Sequence, residues 1–260
     1  MEVRTMTASI RVDPLEEGAI WGVRLAGGKG NIIDSVMVEG LTEVFHRAAE
    51  TRDLKAILLE GEGPHFSFGA SVPEHFPEHA AKLLRGFHAL FEAVLESDVP
   101  VLAAVRGQCL GGGLELASFC HRVFASPDAR LGQPEIALGV FAPAASIILV
   151  ERMGRARAED LCLSGRVLEA KEALTAGLID EIAEDPTAAA LAHARVHFLP
   201  RSASSLRFAV WAVRRGFGER LRQELKALEQ VYLEELMATH DAAEGLRAFM
   251  EKRPPRWQNR

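Results

Sequence analysis

Apolar residues recur along this chain in two forms, short unbroken runs and longer stripes with helical spacing. Residues 19–25 and 55–61 are near-continuous apolar runs closed by glycines, the pattern of strands buried on both faces. Between them, residues 35–51 carry apolar side chains at 37, 38, 41, 44, 45 and 48, which predicts a helix. Apolar positions 83, 84, 87, 90, 91, 94 and 95 predict a second amphipathic helix over residues 80–96, followed by a third strand at 99–105. This order predicts an α/β fold with buried, mainly parallel strands. Residues 122–126 and 129–132 follow as short strands. From 143 onward the pattern is mostly helical, with 178–182 the one expected strand. Segments 202–215, 217–238 and 241–251 form a helical C-terminal region that caps the core or packs against a partner subunit.

The third strand runs into Gln108-Cys109-Leu110-Gly111-Gly112-Gly113-Leu114-Glu115-Leu116-Ala117. Glycines at a strand-to-helix junction let a bound group approach the backbone. The first helical N–H groups have no partner within the helix and sit at its positive end. Such a junction holds an anion, or an oxygen that becomes negative during a reaction. It is equally a tight turn that lets helix and strand pack. On a helix, Glu115 shares a face with Gly112, and a carboxylate among Leu114, Leu116 and Ala117 needs a partner or a task.

Composition narrows the classes. The 260 residues are 48% hydrophobic and 25% charged, ordinary for a folded chain able to bury a full core. A net charge of −6 argues against a dedicated nucleic-acid binder. No apolar run is long enough to span a bilayer, and none of leader type follows Met1–Thr5. With three cysteines lacking metal-type spacing, this leads us to expect a cytoplasmic protein, with Cys109 a buried filler. Gly28-Lys29-Gly30 lacks the third glycine of a dinucleotide fingerprint. His75 and His79 have helical metal spacing, but Pro77 lies between them, so a loop with surface histidines is expected. Arg214, Arg215, Arg220 and Arg222 read as a solvated helix face. Glu135 follows Pro134 on what is expected to be a loop, where a lone carboxylate is usually a surface residue.

Taken together, Leu110-Gly111-Gly112-Gly113-Leu114-Glu115-Leu116 and Gly132-Gln133-Pro134-Glu135-Ile136-Ala137-Leu138-Gly139 resemble the enoyl-CoA hydratase (crotonase) family. Phe68-Gly69-Ala70-Ser71 and the ending Glu244-Gly245-Leu246-Arg247-Ala248-Phe249-Met250-Glu251-Lys252-Arg253 match the same pattern, so the resemblance covers about residues 18–255. It implies repeated ββα units forming a superhelical α/β core over residues 1–200. Residues 201–260 would be a helical region for oligomerisation into trimers or paired trimers. It implies acyl-coenzyme A thioester substrates, no metal and no organic cofactor, coenzyme A being part of the substrate. It further implies an oxyanion hole from the Ala70 and Gly112 N–H groups, with Glu115 and Glu135 as the catalytic carboxylates. Phe68, Ala70, Ser71, Val72 and Pro73 would line the coenzyme A channel. Phe249 and Lys252 would reach a neighbouring subunit's coenzyme A, and Lys29 lies near another contacting position.

The chemistry fits these residue types. Hydrating an enoyl thioester needs a base for water at Cβ, an acid for Cα, and donors for the thioester oxygen as it becomes an enolate. Glu115, at a helix N-terminus, is expected to stay ionised and act as base, with Glu135 the proton donor. One departure stands out. Ordinary hydratases carry a proline and a Gly-Ala-Gly-Gly run after the second acid, where this chain has Phe141-Ala142-Pro143-Ala144-Ala145-Ser146. Alanines in place of glycines, with the added Phe141 beside Pro143, narrow and stiffen the acyl pocket, and Ser71 stands where many relatives carry Asp. In this the chain is most similar to the cyclic dienoyl-CoA hydratases of anaerobic aromatic breakdown. A straight-chain enoyl-CoA hydratase or isomerase is the alternative within enzymes, and a non-catalytic crotonase-fold scaffold the alternative outside them.

Overall fold

Six strands form the main sheet of the computed structural model, which describes residues 9–260. The leader reading at Met1–Thr5 lies outside these residues. In spatial order the strands are β1 (Ile10–Leu15), β2 (Ile20–Leu25), β3 (Ala56–Gly61), β4 (Val101–Val105), β6 (Arg122–Ala125) and β9 (Glu181–Ile182). Every neighbouring pair is parallel except β1 with β2. A smaller sheet holds β5 (Gln108–Leu110), β7 (Arg130–Gly132) and β8 (Val167–Glu169). Parallel bridges Ile33–Ala70 and Ser67–Cys109 continue this second layer beyond β5.

The two layers explain the expected repeat. A long strand runs in the main sheet, the chain bends into the second layer for a few residues, and a helix returns it. β4 and β5 lead into α3 (Gly112–Phe119); β6 and β7 lead, through a 3-10 turn at Pro134–Leu138, into α4 (Pro143–Met153). The earlier repeats use α1 (Ser35–Glu50) and α2 (Pro77–Ser97). Each repeat therefore delivers the end of a second-layer segment and the start of a helix to one edge of the core.

Strands β2, β3 and β4 lack alternation because both faces are covered. On one side α1, α2, α3 and α4 bury the main core, including Phe45, Phe91, Leu114 and Ile148. On the other, Ile20, Leu58, Leu102 and Phe124 pack beneath Ala190 and Ala194 of α7 (Pro186–His197). Between α4 and α7 the chain forms α5 (Arg155–Ser164) and α6 (Ala170–Ala176).

Several elements differ from expectation. β1 carries Pro14, tolerated because the strand lies at the sheet edge, and β8 is only three residues long. α2 begins at Pro77, because proline is favourable in a helix's first turn. Glu135 lies in a 3-10 turn rather than an irregular loop. The segments expected at 202–215 and 217–238 are one helix, α8 (Ala203–Glu234), unbroken by Gly216 and Gly218. A side chain at 218 would come within 3.2 Å of Leu95, so the glycine lets α8 lie close on α2. Arg214 is not a solvated cation. Its guanidinium donates to Phe119 O (2.6 Å) and lies over the Phe119 ring, and burial pushes its pKa down to about 10. The last helix is α9 (His240–Met250).

Candidate active site

The triple glycine sits where two loops cross, and each glycine has its own reason. Gly111 has φ +52° and ψ −127°, a conformation open in practice only to glycine, and a side chain there would meet Glu135 Oε1 at 2.5 Å. A Cβ on Gly112 would lie 3.3 Å from the Ala70 nitrogen. A Cβ on Gly113 would lie 2.7 Å from Ser67 Cβ. On the facing loop, Gly69 has φ +99°, and its missing Cβ would stand 3.4 Å from the Gly112 nitrogen. The Ala70 and Gly112 amides are thus brought side by side by backbones that touch because side chains are missing.

The Ala70 loop is held from beneath. The Asn31 amide donates to the carbonyls of Glu62, His65 and Phe66 at 3.0, 2.9 and 3.2 Å. The Ser67 hydroxyl donates to Asn31 O (2.8 Å) and accepts from Gly69 N (2.9 Å). A buried network of this kind fixes a backbone rigidly, even though Asn31 Oδ1 itself has no hydrogen-bond partner.

Glu115 enters on the fourth residue of α3 and is only 5% exposed. Its carboxylate is held not by its own helix but by the start of α4, where Ala145 N donates to Oε1 at 2.7 Å and Ala144 N also donates. Pro143 opens α4 and leaves those N–H groups free for a ligand. Burial raises the Glu115 pKa to about 7 against these donors, which favour the ionised form. Glu135 has less help. Burial and the nearby Glu115 charge raise it to about 8, and its Oε2 is buried with no hydrogen-bond partner. The Glu115 charge thus couples the titration of the two carboxyls, Glu115 being the easier to ionise.

Ala70, Gly112, Glu115, Glu135, Phe141 and Pro143 line one small cavity of about 30 Å³, roughly the space of one water. Phe68 is exposed, its amide donating to Gly30 O (2.8 Å), so it lies beside the turn that carries exposed Lys29. Ser71 and Val72 are half-buried and Pro73 exposed on the following turn. Phe249, 54% exposed, and Lys252 lie on the surface at the end of α9, away from this cavity's lining.

Three polar lining residues were not expected. His75 is half-buried rather than a surface histidine; its pKa is lowered by burial, and its Nδ1 lies 2.8 Å from Ser71 O. His88 Nδ1 lies 3.1 Å from Glu229 Oε2. Tyr232 reaches the cavity from α8. His88 and Tyr232 look in the sequence like ordinary positions of amphipathic helices, and His75 is marked only by its spacing from His79, which points to a metal rather than to this cavity. Among the described residues, no cluster of His, Cys, Asp and Glu suited to a metal ion occurs, and no helix is long and apolar enough to cross a membrane.

The profile of the Enoyl-CoA hydratase/isomerase family matches residues 16–260. The chain belongs to the enoyl-CoA hydratase/isomerase, or crotonase, family. It is 52% identical over 244 residues, 94% of this chain and 95% of the other, to a cyclohexa-1,5-dienecarbonyl-CoA hydratase of Thauera aromatica. A probable enoyl-CoA hydratase of Mycobacterium bovis is 35% identical over 88% of this chain and 90% of its own length. The crystal structure of an enoyl-CoA hydratase/isomerase from Pseudoalteromonas atlantica superposes with a TM-score of 0.85 at 27% identity, covering 96% and 99% of the two chains. An enoyl-CoA hydratase structure from Mycobacterium avium gives 0.86 at 26% identity, covering 97% and 100%. This crotonase is accordingly an enzyme of hydro-lyase type.

Proposed function

We propose that this crotonase adds water to the conjugated double bond of an enoyl-coenzyme A thioester, with cyclohexa-1,5-diene-1-carbonyl-CoA as its substrate in aromatic degradation. The observation that carries the proposal is the facing of two unlike carboxyls, pushed up to about 7 and about 8, and two crossing backbone amides around one small cavity. Glu115, the easier to ionise, takes a proton from water as the oxygen bonds to Cβ. The electron pair of the double bond moves toward the thioester oxygen, which receives hydrogen bonds from Ala70 N–H and Gly112 N–H. Donors of this type contribute about 3 kcal/mol each to such steps. Glu135, protonated at neutral pH, delivers its proton to the enolate carbon, and a proton passing from Glu115 to Glu135 resets the pair. Only protein groups act, with coenzyme A entering as part of the substrate and no metal or organic cofactor.

The ring specificity rests on the 52% identical relative, named a cyclic diene hydratase, and on the Phe141–Ala145 stretch. Phe141 supplies an aromatic wall, and Ala142, Pro143 and Ala144 are buried lining residues where glycines would leave room for an extended chain. A flat conjugated ring stacks on such a wall and arrives with its double bond already fixed relative to the thioester. The acyl group enters by displacing lining side chains, since a ring is larger than the cavity. The functional unit in this proposal is a homotrimer or hexamer in the cytoplasm. Exposed Phe208, Trp211 and Val213 on α8 support the assembly, with Phe249 and Lys252 completing a neighbour's coenzyme A site.

The deciding experiment compares cyclic dienoyl-CoA with crotonyl-CoA. The cyclic thioester is expected to exceed crotonyl-CoA in kcat/KM by at least ~10-fold, the scale of pocket differences of a carbon or two. Equal efficiency would leave only the generic hydratase, and turnover of neither would leave a scaffold.

A further inference from the structure

α8 carries the chain's only tyrosine, Tyr232, into the wall of the cavity that holds both glutamates. The side chain is 1% exposed and packs edge-on against Phe141, with ring centroids 5.4 Å apart. It belongs to an apolar cluster with Ala80, Leu84, Val140 and Leu246, while His75, His88 and both glutamates line the same cavity. In this setting the hydroxyl is buried and has no hydrogen-bond partner, like Glu135 Oε2 in the same cavity. Phenylalanine would fill the ring's place without stranding a polar group, so the hydroxyl is a liability to the fold unless something in the cavity uses it. Burial and the charges of Glu135 and Glu115 raise the phenol's pKa, so it stays protonated and can donate a hydrogen bond throughout the working pH range.

We propose that Tyr232 is a catalytic residue whose hydroxyl donates a hydrogen bond to the reacting oxygen, which is the attacking water before addition and the new hydroxyl group after it. The cavity, about 30 Å³, has room for about one water, and a bound water needs two to four polar partners. The ionised Glu115 offers that water only acceptors. One water hydrogen goes to Glu115, one lone pair must face Cβ, and the remaining lone pair takes the Tyr232 O–H. The phenol thereby fixes which lone pair faces the carbon. In the reverse direction the same donor stabilises the departing oxygen. No proton is transferred from Tyr232, so Glu115 and Glu135 keep the proton balance described above. The inference rests on the hydratase reading of the site and deepens it.

The test pairs Tyr232→Phe with a label on the wild type. The variant should lose kcat ~10-fold or more in both hydration and dehydration, the effect of one well-placed hydrogen bond. Its KM for the thioester should stay within about 2-fold, a split that marks a contact made to the reacting oxygen rather than to the bound thioester. Its Tm should be unchanged or higher, because an unpaired buried hydroxyl is removed. Because the chain has one tyrosine, 3-fluorotyrosine gives one ¹⁹F resonance, expected to shift with the hydroxyacyl-CoA product and not with coenzyme A alone. Wild-type kcat in Tyr232→Phe, a parallel fall in kcat and Tm, or a resonance unmoved by product would each overturn the role of Tyr232 while leaving the hydratase intact. A wild type that hydrates neither cyclic dienoyl-CoA nor crotonyl-CoA would instead sink the hydratase reading, and this inference with it.

Discussion

Gly112→Ala separates the proposed oxyanion hole from the fold that builds it. The new methyl would stand 3.3 Å from the Ala70 nitrogen, 3.3 Å from the Phe87 ring and 3.4 Å from Ala70 Cβ. These contacts are tight but not prohibitive, and they ask neighbours to move by only a few tenths of an ångström. Gly112 is the first residue of α3 and, unlike Gly111 and Gly69, has no positive φ. Backbone strain is therefore absent, and alanine's helix preference, up to ~1 kcal/mol over glycine, offsets part of the crowding. Net stability should change by about 1 kcal/mol or less, a Tm shift of about 2–4 °C for a chain of this size. Catalysis should respond far more, because the methyl occupies the space in front of one donor and beside the other. Loss of one such donor is typically worth ~10²–10³ in kcat. Thermal unfolding and steady-state hydration on the same preparation measure both quantities. A variant with kcat within a few-fold of wild type would refute the crossing amides as the oxyanion hole. A fall in kcat matched by a large loss of Tm would show that the glycine serves packing alone.

Gly111→Ala should lose fold and activity together, since it adds a strained φ of +52° to a 2.5 Å contact with Glu135; retention of wild-type Tm would contradict the geometry. The pH profile of kcat/KM should be a narrow bell centred between about 7 and about 8, because turnover needs Glu115 ionised and Glu135 protonated, and both limbs belong to the pair; activity flat from pH 5 to 10 would contradict it. Both glutamates bind protons more tightly in the fold than the ordinary carboxyl value of 4.5, so their contribution to stability is fully present below that value and lost as pH rises through about 8. Glu135→Gln should therefore gain Tm relative to wild type as pH rises from about 4.5 to about 8 and hold that gain above it, and a variant less stable at pH 8.5 than wild type would contradict the sign. Gly245→Ala should depress kcat by displacing the turn that carries Glu135, because its Cβ would fall 2.0 Å from Leu138 O; unchanged kcat would detach α9 from the site.

That Gly112, Glu115 and Glu135 meet at one cavity was legible through the family resemblance of their two short motifs, since by residue type alone the glycines read equally as a tight turn and Glu135 as a surface residue. The partners that tune them were not. Glu115 is held by an N–H thirty residues later, and nothing local says that α4 rather than α3 provides the positive helix end. The alanines at 142, 144 and 145, expected only to narrow the pocket, include the two whose N–H groups hold that carboxylate. Tyr232 shares the helical period of the buried Leu221 and Leu225 in α8, so periodicity places it in the core without revealing that it lines a cavity and that its hydroxyl has no hydrogen-bond partner. The break expected at residue 216 reflects glycine's low helix propensity, which tertiary contact between α8 and α2 overrides. The closing motif Glu244–Arg253 gains a physical reason. Arg253 grips Glu244 through two bonds of 2.6 and 2.9 Å, and Glu244 also accepts from Arg256 N at 2.8 Å, clipping the tail to α9.

The most direct test of the two-carboxylate hydratase is the turnover of Glu115→Gln and Glu135→Gln beside their affinity for the thioester. Glutamine keeps size and hydrogen bonding but cannot exchange a proton, a change typically worth ~10²–10⁴-fold in rate. Each variant should bind the enoyl-CoA with nearly wild-type Kd while its kcat for hydration falls by that factor. Hydration at near-wild-type kcat by either variant would contradict the mechanism.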